Sequence, residues 1–488
     1  MELAKLTITN AVRGLRAGRF SAVELTASCR EAIRSRNVDL AAFLEIFEDA
    51  EEAAIAADHT RKELGDLAPP LLGIPLATKD NICIAGKTAS AGSRMLEHYR
   101  APYSATVVER LRHAGAIFLG RTNMDEFAMG SSTEHSAFGP TKNPHDLTRV
   151  PGGSSGGSAA AVGADMCLGA LGSDTGGSIR QPASFCGIVG FKPSYGAVSR
   201  HGLIAMASSL DQIGPMTKSV ADAKLLFHTI AGKDPFDATS REVALPTGDP
   251  EAYPRTMDLR IGVPREFFGE GLDPEVAAAI RAVLDRLREA GAAIEEISLP
   301  HASLALAAYY IIAPAEISSN LARFDGIRYG HRAAGAENLA AIYTRSRSSG
   351  FGSEVKRRIM LGTYTLSAGY YDAYYRRAEF ARRAITDDFG EAFRSVDIIL
   401  GPTTPTPAFA LGARTEDPLA MYLADIYTVG ANLAGLPALS LPVGTVPSGT
   451  ARLPVGLQLI GKRFADADLL DTAEMIEAML ALPHGAHS

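Results

Sequence analysis

The residues best suited to chemistry in this chain lie between 151 and 192. Two glycine–serine clusters, Pro151-Gly-Gly-Ser-Ser-Gly-Gly-Ser158 and Asp174-Thr-Gly-Gly-Ser178, flank an almost wholly apolar segment. Glycine loses more backbone freedom on ordering than any other residue, so such clusters persist where backbone must approach something closely. Flexible linkers are polar on both sides, whereas residues 159–162 and 166–171 have the composition of a buried helix and a buried strand. The clusters therefore point to a paired serine site, with Ser154 in one loop and Ser178 in the other. A serine hydroxyl is a weak nucleophile until a base takes its proton. Successive backbone N–H groups at Thr175, Gly176 and Gly177 can form a nest for a developing oxyanion. The chemistry this suits is acyl transfer.

The base must come from elsewhere. Lys79 closes the apolar run Leu71-Leu-Gly-Ile-Pro-Leu-Ala-Thr-Lys79. Most lysines snorkel to the surface, but the end of an apolar strand is where α/β sheets place their sites. To accept a proton the amine must be uncharged, and burial disfavours the ammonium form. Moving its pKa from ~10.4 to ~7 takes about 4–5 kcal/mol of differential desolvation. Asp80 follows directly; neighbours in a strand face opposite sides, so it is expected to point away. Other motifs fail. The first cluster lacks the Gly-Lys-Ser/Thr of a P-loop. The GxSxG around Ser155 has no strand leading into it. Eleven histidines are scattered without metal-ligand spacing, so no metal is expected. His135 and His201 lie nearby but fit no Ser-His-Asp pattern.

These groups need a scaffold. Residues 1 to about 60 read as helices, with Ser21-Ala-Val-Glu24 forming a capping box. Strands are expected at 71–81, 117–120, 166–171, 259–263, 294–299, 396–400, 438–443 and 456–460. Helices are expected at 105–113, 219–231, 274–290, 303–324, 421–433, 465–480 and over most of 339–385. This alternation implies an α/β fold: a large mixed, mostly parallel sheet covered by helices on both faces. The division is an N-terminal helical segment, 1–65, and a main domain, 66–483. Residues 235–257 read as a polar surface connection and 484–488 as a frayed end.

Bulk properties narrow the class. The 488 residues are 46% apolar with a net charge of −7. No run of Lys and Arg marks a nucleic-acid stripe, no stretch approaches ~18 uninterrupted apolar residues, and the N-terminus lacks a signal-peptide pattern. Four cysteines without CxxC pairs do not make a disulfide framework. A reduced, cytoplasmic protein is expected.

Lys79, Gly152-Gly-Ser-Ser-Gly-Gly-Ser158 and Asp174-Thr-Gly-Gly-Ser178 together resemble the amidase signature family. Thr122-Asn-Met-Asp-Glu-Phe-Ala-Met-Gly-Ser-Ser132, Gly350-Phe-Gly-Ser-Glu-Val-Lys-Arg-Arg-Ile-Met-Leu-Gly-Thr-Tyr364 and Asp425-Ile-Tyr427 are similar to its branch of tRNA-dependent amidotransferase A subunits, over nearly the whole chain. Departures are small: Gly430 stands where that branch usually has proline, and His135 and His145 replace other side chains. The resemblance implies the amidase signature fold and a Ser–cis-Ser–Lys triad. Ser178 would be the nucleophile, and Ser154, preceded by a cis peptide bond, would bridge it to Lys79. It implies glutamine as substrate, with Arg358 forking onto the α-carboxylate and Asp425 holding the α-ammonium. The ammonia would pass to a partner, the B subunit, which uses ATP and Mg²⁺ to convert Glu-tRNA(Gln) to Gln-tRNA(Gln); whether Asp-tRNA(Asn) is also converted to Asn-tRNA(Asn) is left open by the sequence. A small third partner, the C subunit, would tie the other two into a heterotrimer. The chain itself would hold no cofactor and meet tRNA mainly through its partner. The alternatives are a free-standing amidase for small or aryl amides, expected to be apolar where Arg358 and Asp425 stand, and an inactive scaffold, disfavoured by the intact lysine and serines.

Overall fold

Among the residues described by the computed structural model (2–245, 259–449 and 451–480), eleven strands form one sheet. In chain order they are β1 Phe43–Ile46, β2 Pro75–Lys79, β3 Ile117–Thr122, β4 Gly169–Asp174, β5 Val189–Lys192, β6 Gln212–Thr217, β7 Arg260–Pro264, β8 Ala293–Ile297, β9 Ile398–Pro402, β10 Ala438–Ser448 and β11 Ala451–Ile460. The spatial order is β1-β3-β2-β4-β6-β5-β10-β11-β9-β7-β8. Residues 246–257 of the expected surface connection, and the end expected to fray, lie outside the described residues.

The large mixed sheet is present, but the expected dominance of parallel pairing needs correcting. Parallel ladders are confined to two groups, β3-β2-β4 and β9-β7-β8, and the run from β4 through β6, β5, β10 and β11 to β9 is antiparallel. The antiparallel centre comes from the hairpin β10–β11 and from β5 and β6, neither of which the pattern reading found. β6, Gln-Ile-Gly-Pro-Met-Thr, holds Gly214 and Pro215, which argue against a central strand. Its ladder to β5 stops at Met216, one residue short of the proline. Every residue of β2, β4, β6 and β9 is buried. Successive strand side chains point to opposite faces, so both faces are covered, as expected.

The N-terminal segment is not wholly helical. Its capping box at Ser21 forms as read, and the helix Ala22–Leu40 ends at Ala41 in the left-handed region. Then β1 joins the sheet edge beside β3. Ile8, Leu25 and Ile33 of this segment share one apolar core with Leu76, Leu168 and Leu171. The helical run Ala302–Arg323 is long and apolar enough to cross a membrane. Here Tyr309, Ile312, Ala313 and Ile317 pack in a second core with Phe267, Val355 and Phe389, as a core helix does. The expected helix over 421–433 is broken into Pro418–Tyr422, the tight turn Leu423–Asp425 and Val429–Leu433.

Candidate active site

Three adjacent parallel strands end on one edge of the sheet, and each delivers part of the site. β2 ends in Lys79, β4 in Asp174 with the turn 175–178 beyond it, and β3 in Thr122 with the loop 123–133 beyond it. Open α/β sheets place ligands at this carboxyl edge. The loop 151–155 completes the set and runs into the buried helix Gly156–Gly163.

Lys79 has no exposed surface. Its Nζ lies 2.7 Å from Ser154 Oγ, 2.9 Å from Ser173 Oγ and 3.2 Å from the Ser173 carbonyl oxygen. Among the described residues its hydrogen bonds reach no carboxylate. Asp80 faces away, as strand alternation requires, accepting from the Ser90 and Gly92 amides and pairing with Arg121 Nη1 at 2.8 Å. Burial brings the Lys79 amine down to about 7, against the opposing pull of Asp125, Asp174 and Asp211.

The peptide bond Gly153–Ser154 is cis. Two contacts fasten this loop to the second serine turn: the Gly153 amide donates to Gln181 Oε1 at 2.9 Å, and the Ser155 amide to the Ser178 carbonyl at 3.2 Å. Within that turn Gly177 has φ 147°, and a Cβ there would lie 2.2 Å from Thr428 Oγ1 and 3.0 Å from Asp425 Oδ1. Thr175 Oγ1 donates to Asp211 Oδ1 at 2.7 Å. The amides of residues 175–178 make no hydrogen bond to a protein acceptor among the described residues. Ser178 keeps 7% of its surface exposed, whereas Ser154 keeps none.

Beneath the turn, fully buried Arg180 clamps Asp174 through Nε and Nη2, both at 3.1 Å, and reaches Gln458 Oε1 at 2.7 Å and the Thr428 carbonyl at 3.1 Å. Burial alone would raise the Asp174 pKa, but the Arg180 charge and hydrogen bonds hold it at about 2.

Arg358 sits on the helix Ser353–Thr365 and is 2% exposed. Its Nε donates to Glu354 Oε1 at 2.8 Å, and its guanidinium lies 5.1 Å and 5.3 Å from the ring centres of Tyr310 and Tyr422. The Tyr422 hydroxyl donates to the same Glu354 oxygen at 2.8 Å, tying this helix to the segment that carries Asp425. Asp425 Oδ2 accepts from Ser131 Oγ at 2.5 Å, while its Oδ1 is buried and has no hydrogen-bond partner among the described residues. Burial pushes the Asp425 carboxyl up to about 7, partly offset by the Ser131 bond.

The structure thus gathers Lys79, Ser154, Thr175, Gly176, Gly177, Ser178 and Asp425, and links Arg358 to them through Glu354 and Tyr422. The sequence reading missed several neighbours. Ser173 is the second hydroxyl on the Lys79 amine and also accepts from Asn81 Nδ2 at 3.0 Å. The ring of Tyr309 lies where a Cβ on Gly176 would stand, 2.8 Å from it. Ser173 had a signal: a polar residue near the end of an apolar strand that pairs with the lysine strand. Gln181 and Ser131 act through loop contacts that leave no spacing pattern.

A buried amine on a serine hydroxyl, beside a second serine in a glycine turn of unpaired amides, is an arrangement for breaking amides. Residues 24–470 match the amidase family, and the chain belongs to it as an enzyme of that family. It is 52% identical over 481 residues to the A subunit of a glutamyl-tRNA(Gln) amidotransferase from Koribacter versatilis, covering 99% of this chain and 100% of that protein. It is 55% identical over 478 residues to a protein of the same name from Caldanaerobacter subterraneus, covering 98% and 97%. The crystal structure of the glutamyl-tRNA(Gln) amidotransferase A subunit from Thermotoga maritima superposes with a TM-score of 0.79 at 43% identity, covering 97% of this chain and 95% of that one.

Proposed function

We propose that this chain is the glutaminase subunit of a cytoplasmic tRNA-dependent amidotransferase, in which Ser178, Ser154 and Lys79 hydrolyse glutamine to supply ammonia. The observation that carries the reading is the Lys79 amine, buried at 2.7 Å from Ser154 Oγ and brought to about 7. A neutral amine offers two hydrogens and one lone pair. The Ser173 carbonyl can only accept, and Ser173 Oγ stands within reach of the other hydrogen. The lone pair is then left for the Ser154 proton.

The steps follow from that direction. Ser178 Oγ attacks the side-chain amide carbon of glutamine while its proton moves to Ser154 and the Ser154 proton to Lys79. The amides of residues 175–177 receive the oxyanion. The C–N bond breaks as the relay returns a proton to the departing nitrogen, leaving ammonia and a γ-glutamyl ester on Ser178. Water enters by the same relay, releases glutamate and restores the serine. Arg358 pairs with the α-carboxylate. Asp425 Oδ1, buried without a partner, receives the α-ammonium.

The relatives' name, which makes each of them one component of a glutamyl-tRNA(Gln) amidotransferase, supports assembly with B and C subunits. ATP and Mg²⁺ belong to the partner in this reading, as does most contact with tRNA. Glutamate release from glutamine by the purified chain, alone and with its partners, is the test. Ser178→Ala should abolish it, and Lys79→Ala should cost roughly 10²–10⁴-fold without unfolding the protein. Wild-type-like release by Ser178→Ala removes the nucleophile. Turnover of aryl amides but not glutamine assigns a free-standing amidase instead.

A further inference from the structure

The loop 123–133 touches the Ser154 loop, Asp425 and the start of the Arg358 helix. The Asp125 amide donates to the Ser154 carbonyl at 3.3 Å, and Thr133 Oγ1 to the Gly152 carbonyl at 2.8 Å. Ser131 Oγ holds Asp425 at 2.5 Å. Glu126 reaches the other way, towards the helix that bears Arg358. It is 3% exposed, and its Oε2 accepts from the Gly352 amide at 2.8 Å, while Oε1 accepts from Ser93 Oγ at 2.5 Å. Gly352 is the residue that caps the start of Ser353–Thr365. A Cβ on it would lie 2.4 Å from Glu126 Oε2, so glycine is what lets the carboxylate come this close. The next residue, Phe127, has φ 48° and packs edge-on against Phe351 at 5.7 Å.

The first amides of a helix have no partner within it, and a carboxylate that accepts from one fixes the first turn. In this helix the first turn contains Glu354, the residue that holds both Arg358 Nε and the Tyr422 hydroxyl. A chain of contacts therefore runs from the loop of the serines through Glu126 and Gly352 to Glu354 and the guanidinium.

We infer that Glu126 is a positioning residue for substrate binding: it fastens the Arg358 helix to the loop that holds Ser154 and Asp425, and so sets the distance between the carboxylate anchor and the nucleophile. This rests on Arg358 being that anchor. Glu126 itself touches no substrate.

The test compares glutamine with 4-aminobutanamide, which keeps the amide and the ammonium but lacks the α-carboxylate. Glu126→Ala should raise the glutamine KM by about tenfold or more with kcat changed less than about threefold, and leave kcat/KM for 4-aminobutanamide near wild type. Glu126→Gln, which can still accept from Gly352, should recover most of the loss. Ser93→Ala should shift KM the same way by less, and it serves if the alanine variant at 126 does not fold. Arg358→Ala is measured alongside, and the double variant should be no worse than Arg358→Ala alone. If Arg358→Ala raises the glutamine KM selectively but Glu126→Ala and Ser93→Ala do not, the inference is overturned and the anchor stands. If Arg358→Ala affects both substrates equally, the anchor assignment itself fails. Equal losses on both substrates from Glu126→Ala mean general support of the fold and also overturn it.

Discussion

Lys79 and Asp425 reach neutrality from opposite directions. Burial takes the amine down to about 7 and the carboxyl up to about 7. The proposed mechanism needs both deprotonated: the amine uncharged to take a proton, the carboxylate negative to hold an ammonium. Lowering the pH through 7 therefore disables two groups in free enzyme. In the substrate complex the bound ammonium keeps Asp425 ionised, which leaves Lys79 as the one of these two groups that titrates. Because kcat/KM reports the free enzyme and kcat the complex, log kcat/KM should fall below about pH 7 with a slope approaching two, and log kcat with a slope near one. Asp425→Asn should bring the first slope to one and raise KM. A kcat that stays flat from about pH 5.5 to 8 excludes Lys79 as the base.

At the scale of elements, the site was more legible than the sheet that carries it. Lys79, Ser154 and Ser178 stand out because a charged residue closes an apolar run and glycines surround the serines. β2, β4 and the helix Gly156–Gly163 follow from the same contrast. β5 and β6 do not: glycine and proline suppress the strand pattern, and only pairing with β4 and β10 makes strands of them. Arg180 and Asp174 were visible as residues but not as a pair, because the turn between them is folded by contacts with Thr428, Asn432 and Gln458, far along the chain. That pair is where the nucleophile turn is most vulnerable. Arg180→Ala leaves a buried carboxylate uncompensated and should lower the unfolding free energy by about 3–5 kcal/mol in urea titration. Asp174, held at about 2 against an ordinary 3.8, contributes stability that is present above about pH 4 and fades as the pH falls towards 2. Arg180→Ala should abolish that contribution. A variant that unfolds at the wild-type urea concentration would show that the clamp is dispensable.

Over the whole molecule, the site draws on two apolar cores. Ala77, Leu171 and Ile179, beside Lys79 and the serine turn, belong to the core that spans the sheet. Tyr309, Val355 and Tyr427, beside the proposed substrate anchors, belong to the second. On the proposed reading, the groups that hydrolyse glutamine thus all lie inside one chain. The proposed reading assigns activation of the aminoacyl-tRNA carboxyl group to the partner, and the chain's net charge of −7 offers no general attraction to RNA. The two half-reactions should therefore separate. With partner subunits, ATP and Glu-tRNA(Gln), the wild-type chain should support formation of Gln-tRNA(Gln) from either glutamine or free ammonium. Ser178→Ala should lose the glutamine-dependent reaction and keep the ammonium-dependent one at a near wild-type rate. Running Asp-tRNA(Asn) beside it measures whether Asn-tRNA(Asn) is a second product. If ammonium fails to rescue a folded, partner-bound Ser178→Ala, the serine is doing more than releasing ammonia, and assigning hydrolysis to this chain and amidation to its partner is wrong.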